Sequence, residues 1–177
     1  DMKIPASALL GNEGDGMKIA MKTLDSGRLM VAAQAIGAGQ AILDITLEYI
    51  TNRMDGSKPL AKQQAVAFKL ADMAASVEAG RQLVYRGAYL KDNGQPYSYH
   101  SAITKLFATD MAMQVARDAM DIMGTYGYSK DSRIEKVWRD ARILSIYEGT
   151  NQIQRLVASG TLIREYQASQ EARNAAR

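Results

Sequence analysis

The stretch Gly27-Arg-Leu-Met-Val-Ala-Ala-Gln-Ala-Ile-Gly-Ala-Gly-Gln-Ala-Ile-Leu-Asp-Ile-Thr-Leu-Glu-Tyr-Ile50 is the longest run with one clear periodicity. Leu29, Ala33, Ile36, Leu43, Leu47 and Ile50 recur at steps of three, four and seven. That is the period of one helix face, not of a strand. A helix is expected from about Gly27 to Arg53, with Asp25 or Ser26 as its N-cap. Gly37 and Gly39 fall inside it, where a glycine costs up to ~1 kcal/mol relative to alanine. Close approach of another helix or of a ligand would account for them.

Outward from this helix the same period returns. A short helix is expected over Met17–Leu24. Before it, Met2-Lys-Ile-Pro5 reads as a strand and Gly11-Asn-Glu-Gly-Asp-Gly16 as a glycine-dense turn. Residues 1–16 are therefore expected to be the end of a preceding part of a longer polypeptide, or else a ragged arm. Downstream, Asn52-Arg-Met-Asp-Gly-Ser-Lys-Pro59 breaks the pattern. A helix over Ala61–Leu90 follows, with Val66, Leu70, Met73, Val77, Gly80 and Val84 as its seam. Asp92-Asn-Gly-Gln-Pro96 closes it, and a helix over Tyr97–Met123 places Leu106, Met113 and Met120 in heptad register. Gly124-Thr-Tyr-Gly127 stops that helix, and shorter ones are expected over Ser132–Arg142 and Asn151–Tyr166. The fold class is all-α, an up-down four-helix bundle over residues 17–166, with 167–177 as a frayed tail.

Composition narrows the chemistry. A chain of 177 residues, 47% hydrophobic and 23% charged, suffices for a domain with a substantial core. No cysteine and one histidine leave no thiolate or histidine-cluster metal site and no Ser-His-Asp triad, so no metal is expected. The lack of cysteine fits a reducing, cytoplasmic compartment. The net charge of +3 is spread among acids rather than gathered in a stripe, which argues against nucleic-acid binding. Apolar runs look short and interrupted, so no membrane span is expected.

One segment departs from the helical pattern in a chemically suggestive way: Asp140-Ala-Arg-Ile-Leu-Ser-Ile-Tyr-Glu-Gly-Thr-Asn-Gln-Ile-Gln-Arg155. Glu148 stands between the apolar pair Ile146-Tyr147 and Gly149, which removes bulk beside it. A general base needs that kind of access to its proton. The same residues also describe a surface glutamate in an ordinary turn.

The chain resembles the C-terminal helical domain of the acyl-CoA dehydrogenases. The matching runs are Met21-Lys-Thr-Leu-Asp-Ser-Gly-Arg28 with Ala32-Ala-Gln-Ala-Ile-Gly37, then Gln64 with Leu70-Ala-Asp-Met73. Glu135-Lys-Val-Trp-Arg-Asp-Ala-Arg-Ile143 and Ile146-Tyr-Glu-Gly-Thr-Asn-Gln-Ile-Gln-Arg155 complete them. Residues 1–16 are similar to the strand and loop that leave the family's middle β-domain. The resemblance implies FAD-dependent dehydrogenation of an acyl-CoA to an enoyl-CoA, with Glu148 as the α-proton base. Some members carry the base at the position of Gly27, which cannot serve. The resemblance further implies that Arg28, Tyr147 and Gly149 border the active site. Thr150 and Gln152 match positions that contact FAD, and Arg53 and Gln64 match positions that reach the FAD of a neighbouring subunit. The implied partners are an acyl-CoA, an electron-transfer flavoprotein or similar acceptor, and further copies in a homodimer or homotetramer. The implied location is the cytoplasm, or the mitochondrial matrix in a eukaryote. Lacking the family's other domains, the isolated chain is expected to be inactive and to bind FAD weakly or not at all.

Two departures bear on these expectations. The family's Arg-x-x-Phe-Gly is here Arg53-Met-Asp-Gly-Ser57, and a customary glutamine is replaced by Asp121. A carboxylate near a pyrophosphate would repel it. A non-catalytic assembly module, or an acyl-CoA oxidase that uses oxygen, are the alternative functions. Arg28 could instead form a salt bridge with Asp25. His100 reads as a helix-start surface residue, Trp138 as packing at a helix junction, and Asp140 as the ion-pair partner of Arg139 or Arg142.

Overall fold

The period that marks Gly27–Ile50 continues upstream without interruption. The computed structural model, which describes residues 1–175, makes one helix of it, α1, Gly16–Thr51. The expected division into a short and a long helix is absent, since no proline intervenes and the polar side chains find local partners. Thr23 Oγ1 donates to the Ile19 carbonyl at 3.1 Å. Asp25 and Ser26 are not caps but interior residues of α1. Asp25 accepts from Ser98 Oγ at 3.0 Å, and Ser26 shares a 3.0 Å hydrogen bond with the Tyr97 hydroxyl.

The other helices are α2, Gln64–Asp92; α3, Ser98–Met123; α4, Arg133–Ala141; and α5, Asn151–Ala175. Ser132 caps α4, its hydroxyl accepting from the Ile134 N–H at 3.2 Å. α5 runs past the expected end at Tyr166, so the tail expected to fray is helical through Ala175; residues 176 and 177 lie outside the described residues. Met2-Lys-Ile-Pro5 forms no strand, because no strand lies beside it to complete a ladder among the described residues. Asn52–Pro59 instead holds a hairpin, β1 (Met54–Asp55) paired antiparallel with β2 (Lys58–Pro59). Gly56 turns it at φ +58°, a left-handed angle that suits glycine.

Helix directions follow from which residues meet. Along α1 and α2 the order reverses: Gly39 meets Val77, Ile36 meets Gly80, and Leu29 meets Gly87. Thr104 reaches Leu83 and Lys69 reaches Asp121, so α2 and α3 are also antiparallel. α5 starts beside Lys105 and Thr109, and its Leu156–Glu165 stretch lies by Pro96–His100, antiparallel to α3. The result is the expected up-down bundle, with α4 as a short fifth helix. α3 is central, packing on α1, α2, α4 and α5.

The core centres on Val31, Ala35, Ile36, Ile42, Met73, Val77 and the α3 face Ala108-Ala112-Val115-Ala116-Ala119. On α1 the buried stripe differs from the expected one. Ala33 and Leu47 face outward, and Val31, Ala32, Ala35, Ile42 and Thr46 take the interior. On α3, Met120 is buried while Leu106 and Met113 are half-buried, because the buried face runs through Ala108, Met111, Ala112, Val115, Ala119 and Met123 instead. Of Gly37 and Gly39 only Gly39 marks a close approach; a Cβ there would stand 3.1 Å from both Met111 Sδ and Val77 Cγ2. Gly37 is exposed and faces open space.

An 18-residue window of α1 has mean hydropathy 1.3, long and apolar enough to cross a membrane, contrary to the expectation of short apolar runs. Half of that window is buried inside the bundle, as a core helix requires. Asp140 pairs with Lys136, and Arg139 with Glu135 at 2.9 Å, in place of the expected Asp140 pairing. These are helical i, i+4 neighbours. Trp138 is 36% exposed on α4 and lines a cleft with Met113 of α3 and Arg142.

The two glycines give a direct test of the packing. Gly37→Ala should stabilise by about 0.5–1 kcal/mol through helix propensity alone. Gly39→Leu should destabilise by about 1–3 kcal/mol through overpacking. Thermal or urea unfolding of the two variants should move in opposite directions.

Candidate active site

α4 ends at Ala141, and a 3-10 turn, Arg142–Ser145, leads into the segment that carries Glu148. The Ile146 and Tyr147 N–H groups both donate to the Ile143 carbonyl, at 2.9 and 3.1 Å, which tightens the entry. Glu148 then has φ +54°, the one non-glycine residue with positive φ among the described residues. Gly149 follows at φ +89°. A left-handed non-glycine residue is strained by about 1–3 kcal/mol and persists only where its surroundings hold it. No hydrogen bond uses the Glu148 N–H among the described residues.

The Glu148 carboxyl group lies against α1 at Gly27. A Cβ on Gly27 would stand 2.8 Å from Glu148 Cδ and overlap Oε2. Any larger residue at 27 would push the carboxylate out of this place. Tyr147, packed against the core, hydrogen-bonds Gln34 through its hydroxyl. Arg28 is 5% exposed and forms the 2.6 Å salt bridge with Asp25; its Nε is buried without a partner among the described residues.

What lies beneath the loop escaped the sequence reading. Lys105 of α3 is fully buried. Its Nζ donates to the Gly149 carbonyl at 2.8 Å and to Asn151 Oδ1 at 3.0 Å. Gln154 Nε2 donates to the same Gly149 carbonyl at 2.9 Å. Asn151 Nδ2 in turn donates to Thr109 Oγ1 at 2.9 Å and Asp110 Oδ1 at 2.8 Å. Burial pushes the Lys105 ammonium down to about 8, with the Asp110 charge opposing and the Arg28 charge adding to the shift. A signal was present: Lys105 falls in phase with Ala102, Ala108 and Ala112, a lone charge on a stripe of small residues.

Thr150 and Gln152 sit at the start of α5. Thr150 Oγ1 accepts from the Ile153 N–H at 3.3 Å as an N-cap, and Gln152 is exposed. Arg53 and Gln64 are not brought to this end. Arg53 lies beyond the far terminus of α1, roughly 40 Å from Gly27 at the rise of an α-helix. Its guanidinium stacks 4.8 Å from the Tyr49 ring and 5.4 Å from that of Tyr126. It lines a cavity of about 450 Å³ together with Glu48, Asn52 and Arg133. No carboxylate pairs with Arg53 among the described residues, so its fork is free for a phosphate. Gln64 opens α2 and is exposed. Asp121 is paired with Lys69 at 2.8 Å, which offsets the repulsion that its charge would otherwise exert on an anion. Asp55 of the altered run takes a hydrogen bond from Gln63. His100 stands edge-on to Tyr99. Among the described residues no cluster suits a metal ion.

Known proteins share this sequence pattern and fold. The family profile described as "Acyl-CoA dehydrogenase, C-terminal domain" matches residues 14–162. The chain is similar to the mitochondrial short-chain specific acyl-CoA dehydrogenase of Bos taurus, at 48% identity over 95% of this chain and 41% of the relative. It is also similar to the structure of butyryl-CoA dehydrogenase from Megasphaera elsdenii, with TM-score 0.90 and 48% identity over 92% of this chain and 43% of that one. A chain in a structure concerning the electron transferring flavoprotein of Acidaminococcus fermentans aligns with TM-score 0.88 and 48% identity, over 91% of this chain and 42% of that one. The chain thus spans less than half the length of each.

The buried lysine has a measurable signature. Between pH about 8 and 10.5 the unfolded chain keeps a proton that folded Lys105 has lost. Stability therefore rises with pH through that window. Urea unfolding of wild type and Lys105→Met across these pH values should show this rise in the wild type and lose that component in the variant.

Proposed function

This chain belongs to the acyl-CoA dehydrogenase family as its C-terminal domain, and we propose that Glu148 is the base of an acyl-CoA α,β-dehydrogenation. The observation that carries the reading is the seat of the Glu148 carboxylate against Gly27. A carboxylate held there by a left-handed backbone has a defined direction, and the bare glycine leaves its oxygen room. Glu148 takes the α-proton of the thioester while the β-hydride leaves in the opposite sense, so an enoyl-CoA forms with atoms and electrons in balance. FAD, when bound, supplies the hydride acceptor. The α-proton is too weakly acidic for a carboxylate unless charge developing on the thioester oxygen is stabilised. The Glu148 N–H, free of partners among the described residues, is the donor on this chain placed to do so.

Thr150 and Gln152, at the head of α5, would lie toward the FAD served by this Glu148. Arg53 and Gln64, at the opposite end of α1, would reach the FAD of a neighbouring copy, with Arg53 on its phosphates. Tyr147, Gly149 and Arg28 border the acyl-CoA. The names of the relatives point to a short acyl chain and to an electron-transfer flavoprotein as acceptor. We place the protein in the cytoplasm, or in the matrix if eukaryotic, as a homodimer or homotetramer. Exposed Ile153, Leu156, Ile163 and Tyr166 on α5 give an apolar face for association. We further propose residues 1–16 as the remnant of a preceding β-domain with its linker and residues 17–166 as the bundle, with α5 extending past it through Ala175.

In the full-length flavoenzyme with butyryl-CoA and an artificial electron acceptor, Glu148→Gln should lower kcat by about 10²–10⁴-fold while the flavin spectrum persists. An unchanged rate would remove Glu148 from the reaction and leave the assembly-module reading. Oxygen consumption in place of acceptor reduction would assign an oxidase. The isolated chain, mixed with FAD, should retain far less than one equivalent after gel filtration; near-stoichiometric retention would contradict the division of FAD contacts proposed here.

A further inference from the structure

We propose that Lys105 is a positioning residue for the reaction: through the Gly149 carbonyl it holds Glu148 in the backbone conformation that seats its carboxylate on Gly27. The inference rests on the reading of Glu148 as base, and it assigns a role to a buried group which that reaction does not otherwise use.

Four observations converge. First, Glu148 is in a left-handed conformation that its own side chain disfavours, so something outside the residue must hold it. Second, the Gly149–Thr150 peptide, one residue beyond Glu148, is gripped at its oxygen by two donors from different helices, Lys105 of α3 at 2.8 Å and Gln154 of α5 at 2.9 Å. Fixing that carbonyl fixes the Gly149–Thr150 peptide plane. With Tyr147 packed on the core at the other side, the two left-handed residues Glu148 and Gly149 must span a set gap, which restricts the direction in which the Glu148 side chain leaves the backbone. Third, the grip is tight: a Cβ on Gly149 would stand 2.7 Å from Gln154 Nε2. Fourth, Lys105 is itself immobilised. It is fully buried and shares Asn151 Oδ1 with Thr109, and Asn151 is tied through Nδ2 to Asp110. A flexible four-carbon side chain in solvent could hold nothing in place, whereas this one has a single geometry.

A carbonyl held only to stabilise the fold could be served by the α5 backbone or by water. Use of a fully buried amine, whose ammonium form burial disfavours, fits a loop whose shape must be kept against strain. Lys105 touches neither the reacting carbon nor the flavin in this proposal; it acts through Gly149 and Glu148.

The test uses the full-length flavoenzyme with butyryl-CoA. Lys105→Met keeps length and packing but removes the donors. It should lower kcat by roughly 10–100-fold, the scale set by a misplacement near 1 Å, and leave KM within about twofold. Hydrogen exchange of the amides over residues 147–150 should quicken about tenfold, while the α1–α3 core amides keep their rates. Lys105→Gln retains a shorter donor and covers the case in which the methionine variant does not accumulate as folded holoenzyme. It should show the same pattern with smaller amplitude. Val77→Ala, a core truncation remote from the loop, serves as the stability control and should leave kcat unchanged.

The proposal is overturned if folded Lys105→Met or Lys105→Gln keeps the wild-type kcat. It is equally overturned if their exchange rises evenly over the bundle, or if Val77→Ala at a matched thermal midpoint loses as much rate. Failure of the base reading looks different: Glu148→Gln then turns over normally, while loop exchange in Lys105→Met still reports whether the carbonyl is held.

Discussion

The hydrogen bonds from the Lys105 amine to Gly149 and Asn151 join the last part of the chain to the bundle. α5 makes its principal helix contact with α3, and the start of that contact is polar: Lys105, Thr109 and Asp110 on one side, Asn151 and Arg155 on the other. Taking an ammonium out of water carries a penalty of several kcal/mol, even after relaxation. It is tolerable because the amine finds a carbonyl and an amide oxygen within hydrogen-bond distance and the Asp110 charge nearby. Such a network is satisfied in one register of α5 on α3 and in no slipped one. An apolar seam of alanines would allow more sliding. The polar network therefore fixes where the loop before α5 must lie.

Close approach of backbones is the second organising device. α3 can touch four helices because its buried face is built of alanines, and α1 draws in against α2 and α3 at Gly39. Gly27 applies the same device to chemistry. The space that a side chain would fill belongs instead to the Glu148 carboxylate. One long helix thus serves two ends: its early turns form a wall of the candidate active site, and its end carries Arg53 on a stacked tyrosine pair.

The departures from the family pattern find local explanations. The altered run after Arg53 closes into a two-residue hairpin at Gly56, and Gln63 partners its acid. Asp121 belongs to a small charge group with Lys69 and Asp118, and the hydrogen bond from Lys69 raises no new conflict with a nearby anion. The lysine is itself held above its ordinary range, chiefly by that hydrogen bond to Asp121.

Period and punctuation in the sequence determined the helices, their approximate ends, the bundle class and the one loop with chemical character. These are local properties: a face repeats every three or four residues, glycine or proline ends it, and a capping serine starts it. The family motif around Glu148 was equally legible as a string. Only the tertiary structure decided that α1 is continuous, that Ala33 and Leu47 face outward, and that alanines share the buried α3 face with Met111, Met120 and Met123 while Leu106 and Met113 are half-buried. It alone set the Glu148 carboxylate on Gly27, put Arg53 at the opposite end of α1, and buried Lys105 under the loop. Helical periodicity says which residues share a face but not which neighbour that face meets. The meeting depends on how all the helices pack at once, and so the seat of the Glu148 carboxylate and the burial of Lys105 beneath its loop became visible only in three dimensions.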